Sequence, residues 1–340
     1  MLNGQHANNC ESGPFRRHDF RQQGFQREGA GFSTHTARLI GEQTQQAGID
    51  VNMANFVLQM CTVNTATHFG LERELGSIAP GRRADMILTS DLRSLPIEVV
   101  YGRGVKLAEN GDILVDCPHL GWPAKARDTV HLGKDLTAQD FEIAAPAGAN
   151  SAHVKVIGVV ENQAPTEALT AELPVVDGLV EGEGDVCQIS LVERHQATGG
   201  VVNAFVSGFG YKGPMAMAST VAHDSHHMIV VGTDRDNMAR AAMRLGQVGG
   251  GITIFKDGAE LALVELPIAG LMSDAHATDV AASADAMVAA MAACGCTLNN
   301  AYMQHSLLAL VVIPSLRISD KGLVDVTTFE LTSLFAEEPS

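Results

Sequence analysis

The sequence lacks a long apolar segment and a concentrated set of cysteines. Its strongly apolar stretch, Leu307–Ile313, is far shorter than the ~20 residues that span a bilayer. The first residues contain no apolar run suited to a signal peptide. The six cysteines are scattered apart from Cys294-Gly-Cys296, which predicts reduced thiols. We therefore expect a cytoplasmic protein with no membrane partner.

Positive charge is also scarce, with 23 Lys plus Arg against 39 Asp plus Glu and a formal net charge of −16. Because nucleic-acid binders carry a basic surface, this balance excludes nucleic acid as a partner. The thirteen histidines leave metal or acid–base chemistry open. A complete (β/α)₈ barrel needs about 250 residues. A chain of 340 residues therefore holds one only if almost nothing else is present.

The N-terminal third changes character along its length. Residues 1–31 are rich in Gln, Asn, Arg and Gly without periodicity, which predicts either a disordered leader or sequence that is not native to the fold. From Val51 to His68, apolar residues recur at the spacing of an amphipathic helix, and Gly70 is placed to end it. A small β unit is predicted to follow.

The remainder of the chain alternates strand and helix patterns, which predicts an α+β fold. Helices are expected over Asp234–Gln247 and Ser273–Ala293, the second with Ser273 and Asp274 as N-caps. A hairpin is expected to turn at Asp257-Gly258. Strands are predicted at His153–Glu161, Val186–Arg194, Val201–Val206, Met228–Val231 and Leu307–Ile313.

Several motifs resemble one protein family. HFGLERELGSIAPGRRADMIL (68–88) resembles the segment that follows the barrel in the amidohydrolase superfamily. The resemblance to the C-terminal domain of bacterial adenine deaminases is more specific and covers nearly everything from about residue 52 onward. Its motifs are VERH (192–195), STVAHDSHHMIVVGT (219–233), GGGITIFKDG (249–258), ELPIAGLMSD (265–274) and DKGLVDV (320–326).

The resemblance implies a domain organisation. A C-terminal mixed α/β domain is expected over 125–340, preceded by a partial β-sandwich and linker over 76–124. Residues 32–75 are expected to be a remnant of the barrel, ending with the last helix of an otherwise absent (β/α)₈ barrel.

The resemblance also implies a chemistry. Family members use a manganese or iron centre to activate water against C6 of adenine, releasing hypoxanthine and ammonia. The H-x-H pair that opens the barrel is absent here, and the other family ligands belong to the same missing region. We therefore expect a truncated or split deaminase that lacks its own metal centre. The alternatives are a non-catalytic binding or assembly module and a subunit that completes a separately encoded barrel. The partners expected are adenine as substrate and either a second copy of the chain in a homo-oligomer or that separately encoded barrel.

One cluster of titratable residues stands out, at His223-Asp224-Ser225-His226-His227. It is predicted to be a loop at the edge of a strand. His223, Asp224 and His226 are the candidate catalytic residues, because imidazoles beside a carboxylate suit proton transfer. His227 is a candidate metal ligand. The alternative is a structural loop whose polar groups satisfy one another.

Overall fold

A computed structural model of the chain describes residues 51–117, 121–299 and 301–336. The predicted leader over 1–31 and the first part of the predicted barrel remnant lie outside these residues. The described residues divide into two compact units, one ending at Gly121 and one beginning at Trp122. Within them, no helix combines the length and apolar character needed to cross a membrane.

The first unit consists of a helical run and a small antiparallel sheet. The run begins with α1 (Val51–Gln59), continues through a π-helical turn (Met60–Asn64) and ends with α2 (Thr65–His68). Gly70 follows with φ +70°, a conformation that glycine adopts without strain. The helix predicted here is confirmed. The sheet contains β1 (Met86–Leu88), β2 (Val99–Gly102), β3 (Val105–Glu109) and β4 (Asp112–Ile113), paired in chain order.

A nine-stranded sheet organises the second unit. Its strands are β5 (Ser151–Gly158), β6 (Glu167–Val176), β7 (Leu179–Val180), β8 (Cys187–Val192), β9 (Val201–Ser207), β10 (Met215–Ser219), β11 (Met228–Gly232), β12 (Gly251–Lys256) and β13 (Ala259–Glu265). They lie in the order β13-β12-β10-β11-β8-β9-β5-β6-β7. The described pairs are antiparallel except β5 with β9.

Helices and a second sheet complete this unit. The α-helices are α3 (Arg235–Val248), α4 (Ala277–Ala293) and α5 (Ala301–Leu307). Short 3₁₀ helices cover Ala124–Ala126 and Ala138–Phe141. A three-stranded antiparallel sheet contains β14 (Leu316–Ser319), β15 (Gly322–Asp325) and β16 (Glu330–Thr332). The mixed α+β fold class is therefore confirmed.

The central strands are buried on both faces. In β10, Met215 and Met217 pack into a core shared with α4, while Ala216 and Ala218 pack into a core shared with α3. This division follows the two-residue alternation of side chains along a strand. The central sheet therefore forms a middle layer, which holds the loops at its strand ends in place.

Two predicted features are wrong. Leu307–Ile313 is not a strand, because α5 ends at Leu307 and β14 begins only at Leu316. A short buried apolar run does not distinguish a helix end from a strand by its pattern. Ser273 and Asp274 do not cap α4, whose N-cap is His276. The Asp274 carboxylate instead forms an ion pair with Arg127.

Candidate functional site

The candidate site forms where two motifs meet at one end of the central sheet. β8 and β11 are antiparallel, with Val192 opposite Met228. The residues that follow β8, Glu193 to His195, therefore lie beside the residues that precede β11, His223 to His227. We call the 223–227 segment the histidine loop. This pairing brings together two motifs that are about thirty residues apart in sequence.

Glu193 fixes the turn after β8. Its carboxylate accepts hydrogen bonds from the backbone N–H of His195, Gln196 and Thr198 and from the Thr198 hydroxyl. Burial acts to raise the pKa of Glu193, but these hydrogen bonds outweigh it and lower the pKa to about 2. The site therefore contains a permanent negative charge at neutral pH.

Arg194 connects three separate segments of the second unit. Its side chain donates from Nε to the carbonyl oxygen of His226 at 2.5 Å, from Nη1 to that of Thr129 at 2.8 Å, and from Nη2 to that of Ala269 at 3.1 Å. Arg194 is only 1% exposed. Burial lowers the pKa of its guanidinium to about 10, so the group remains protonated near neutral pH.

His195 contacts the histidine loop in two ways. Its ring nitrogen Nε2 lies 2.8 Å from the carbonyl oxygen of Ser225. Because a carbonyl only accepts, Nε2 carries the hydrogen in this contact. The His195 ring also lies beside the ring of His227, with centroids 4.7 Å apart. His195 therefore binds the backbone of the loop and lies against one of its imidazoles.

The rings of His223 and His226 form a second pair, with centroids 5.5 Å apart. Desolvation lowers the pKa of His226, and the nearby His223 and Arg194 lower it further, while the charge of Asp224 opposes the shift. Asp224 itself is exposed. The candidate catalytic residues His223, Asp224 and His226 therefore lie close together, and the imidazole of His226 is the neutral one among them.

His227 faces a different group of residues. Its Nδ1 lies 3.9 Å from Glu193 Oε1, and its Nε2 lies 3.9 Å from Asp320 Oδ2. The residue is 8% exposed, and Nδ1 is buried without a hydrogen-bond partner in the described part of the chain. Desolvation, followed by the neighbouring His195, lowers the pKa of His227, while Asp320 and Glu193 oppose the shift. His227 is therefore held as a neutral imidazole between two carboxylates.

These residues do not fit a resident metal ion. Within 51–117, 121–299 and 301–336, no group of three or more His, Cys, Asp or Glu side chains is arranged to hold one. Glu193 faces Nδ1 of His227 and Asp320 faces Nε2, so an ion at either nitrogen would gain at most one of these two carboxylates. We therefore assign no metal chemistry to His227.

Sequence reasoning missed four residues of the site: Glu193, Arg194, His195 and Asp320. The first three lie in the VERH motif and the fourth in the DKG motif, both of which carry the family resemblance. These motifs could have pointed to the four residues. Their proximity to the histidine loop, however, depends on the pairing of β8 with β11. It also depends on the turn between β14 and β15, where Asp320 lies.

Comparison with known protein families shows the class to which this chain belongs. Residues 33–113 match the amidohydrolase family, which implies a metal cofactor for the class. Residues 163–330 match the adenine deaminase C-terminal domain and include the whole candidate site. The chain is an adenine deaminase family protein.

Curated relatives agree with this assignment. The chain is 77% identical over 273 residues to the adenine deaminase of Ruegeria sp. (strain TM1040), covering 80% of this chain and 45% of the relative. It is 70% identical over 277 residues to that of Paracoccus denitrificans, covering 82% and 46%. It is 43% identical over 279 residues to that of Moorella thermoacetica, covering 82% and 47%. The chain spans about half the length of these relatives.

Proposed function

We propose that this chain acts in the hydrolytic deamination of adenine to hypoxanthine and ammonia, as the part of an adenine deaminase that carries the C-terminal domain. The names of its relatives support the reaction and the substrate. We further propose a cytoplasmic location and a role in purine salvage and adenine breakdown. A homo-oligomer and a separately encoded barrel are the proposed partners.

One observation carries this proposal. Arg194 and His195 from one motif bind the carbonyl oxygens of His226 and Ser225 from another. Arg194 also binds Ala269 from a third motif, and Asp320 from a fourth approaches His227. The family motifs therefore meet around the histidine loop, which is expected if the loop serves the reaction of the family.

We assign the acid–base role to His223, Asp224 and His226. Hydrolysis adds water at C6 of adenine, and the departing amino group must gain a proton before it leaves as ammonia. A neutral imidazole is able to take up a proton and pass it on near neutral pH. Burial keeps His226 neutral, and the Asp224 charge stabilises the imidazolium that forms after proton uptake. We propose that the metal of the class is manganese or iron.

The test uses the full-length Ruegeria relative with alanine at the counterparts of His223 and His226. General acid–base groups contribute about 10²–10⁴-fold to rate, so we expect kcat to fall by at least about 10²-fold. Alanine at the counterpart of His276, an exposed residue at the start of α4, is the control. Unchanged kcat in the His223 and His226 variants would refute the assigned role.

A second assay tests the expected lack of an independent metal centre. The purified chain is incubated with adenine and Mn²⁺ or Fe²⁺, and released ammonia and bound metal are measured. We expect neither turnover nor stoichiometric metal. Turnover by the chain alone would show that a complete catalytic centre is present.

A further inference from the structure

Two arginines of the second unit are buried in the same unusual way. Arg194 and Arg317 are each 1% exposed. Each guanidinium donates to three backbone carbonyl oxygens, and neither forms an ion pair with a carboxylate in the described part of the chain. Burial lowers the pKa of both guanidinium groups to about 10. The two residues are therefore closely matched in burial and bonding.

The two arginines differ in what they join. Arg317 binds the carbonyl oxygens of Ala164, Leu307 and Ile313, which lie before β6, at the end of α5 and before β14. Arg194 binds the carbonyl oxygen of His226, inside the histidine loop. His226 has φ +51°, an uncommon conformation for a residue with a side chain, which needs support from surrounding contacts.

We infer that Arg194 is the positioning residue of the candidate site, since its guanidinium holds the backbone of the histidine loop and thereby places the rings of His226 and His227. The inference rests on the proposed function in treating this loop as the site. Within the described residues, the hydrogen bonds of the Arg194 guanidinium all go to backbone carbonyl oxygens, so its role is to orient other groups.

The geometry of the guanidinium explains why this position needs arginine. Nε, Nη1 and Nη2 point in three fixed directions, and each donates to a different segment. A lysine at the same position keeps the positive charge but has a single nitrogen at the end of a flexible chain. Arg194→Lys therefore separates the positioning effect from the effect of charge.

A substitution at Gly270 offers a second way to displace the Arg194 guanidinium without changing Arg194 itself. A methyl group added at Gly270 would lie 2.8 Å from Arg194 Nη1 and 3.0 Å from its Cζ. Gly213 has nearly the same φ, +71° against +72°, but nothing lies within 4 Å of the corresponding position. Gly270→Ala and Gly213→Ala therefore carry the same backbone strain, and only the first displaces Arg194.

The experiment measures histidine titrations by NMR in the full chain, labelled in its imidazole rings. His226→Gln and His227→Gln variants assign the two resonances. His226 lies among His223, Asp224, His195 and Arg194, and His227 among His195, Glu193, Asp320 and Arg194. In Arg194→Lys, we expect both midpoints to rise towards the ordinary histidine value of about 6.5, because a loosened loop admits water to the rings.

Arg317→Lys is the matched control and is expected to leave both midpoints in place. If Arg194→Lys fails to fold, the comparison of Gly270→Ala with Gly213→Ala replaces it, with a rise expected only in the first. Unchanged midpoints in the Arg194 or Gly270 variant would overturn the inference, as would an equal rise in its control. Because this test does not measure turnover, its failure is distinguishable from failure of the deaminase proposal.

Discussion

The two units of the chain differ sharply in how they bury apolar side chains. In residues 51–121, Phe56 is 54% exposed, Ile78 86% and Ile113 66%. Among the side chains described there, only Ala66 and Leu95 are buried hydrophobic residues. In residues 122–336, three hydrophobic clusters fill both faces of the nine-stranded sheet and its flanks. The second unit therefore contains the interior from which folding free energy is gained.

The units also differ in their buried polar groups. Every buried polar or charged residue among those described lies between Thr166 and Arg317, in the second unit. These residues include Arg194, Arg317 and His305. Buried polar groups stabilise a fold only when their charge state and hydrogen bonds are maintained. The second unit is therefore expected to depend more strongly on core packing, on pH and on specific hydrogen bonds.

The largest expected difference concerns core packing. Phe205 in β9 is fully buried, and removing its ring leaves a cavity among Val154, Val156 and Leu173. We expect Phe205→Ala to lower the free energy of unfolding by about 3–5 kcal/mol. Phe56→Ala, the same substitution at an exposed residue, is expected to change it by less than about 0.5 kcal/mol. Urea unfolding measures both, and equal losses would contradict the contrast between the units.

Acid sensitivity gives the next difference. His305 in α5 is fully buried, and within the described residues both of its ring nitrogens are buried without a hydrogen-bond partner. Burial lowers the pKa of His305 to about 3 from an ordinary value of 6.5. The unfolded chain therefore binds a proton below about pH 6.5, whereas the folded chain does not until about pH 3. The folding free energy that depends on a neutral His305 is therefore fully present above pH 6.5 and is lost progressively as the pH falls below that value.

Between pH 6.5 and 5, His305 should remove about 1–2 kcal/mol of stability. His305→Leu is expected to reduce the slope of stability against pH in this range. The lowered pKa values of His226 and His227 act in the same direction, so each variant is compared with the wild-type slope. His68→Leu, at an exposed residue of the first unit, is the control. A slope unchanged in His305→Leu would show that this residue does not cause the acid sensitivity.

The sequence patterns predicted elements whose local signals agree with their packing. The helix expected over Asp234–Gln247 is observed at Arg235–Val248, because its apolar residues recur on one face and pack into a core. The turn at Asp257-Gly258 joins β12 to β13 as expected. In these elements, short-range pattern and final environment favour the same structure.

Other features depend on contacts that no local pattern records. The sequence pattern does not predict β6 (Glu167–Val176). Most of its residues are exposed, and they include Glu, Ala and Pro, which are depleted in strands. Its structure comes from pairing along β5. The histidine loop was recognised from its composition, but Arg194 and Glu193 were not. Their roles arise from the alignment of β8 with β11.

The smallest expected difference concerns helix capping. Asp234 is the N-cap of α3, and its side chain accepts the N–H of Asn237 at 2.8 Å. An N-cap replaced by alanine costs typically about 1 kcal/mol, because one N–H at the helix start loses its partner. We expect Asp234→Ala to lower the free energy of unfolding by this amount. Asn64→Ala in the first unit is the comparison, since Asn64 is exposed and its side chain caps no helical N–H. Urea unfolding of both variants measures the contrast, and a loss in Asn64→Ala as large as in Asp234→Ala would show that it does not depend on capping.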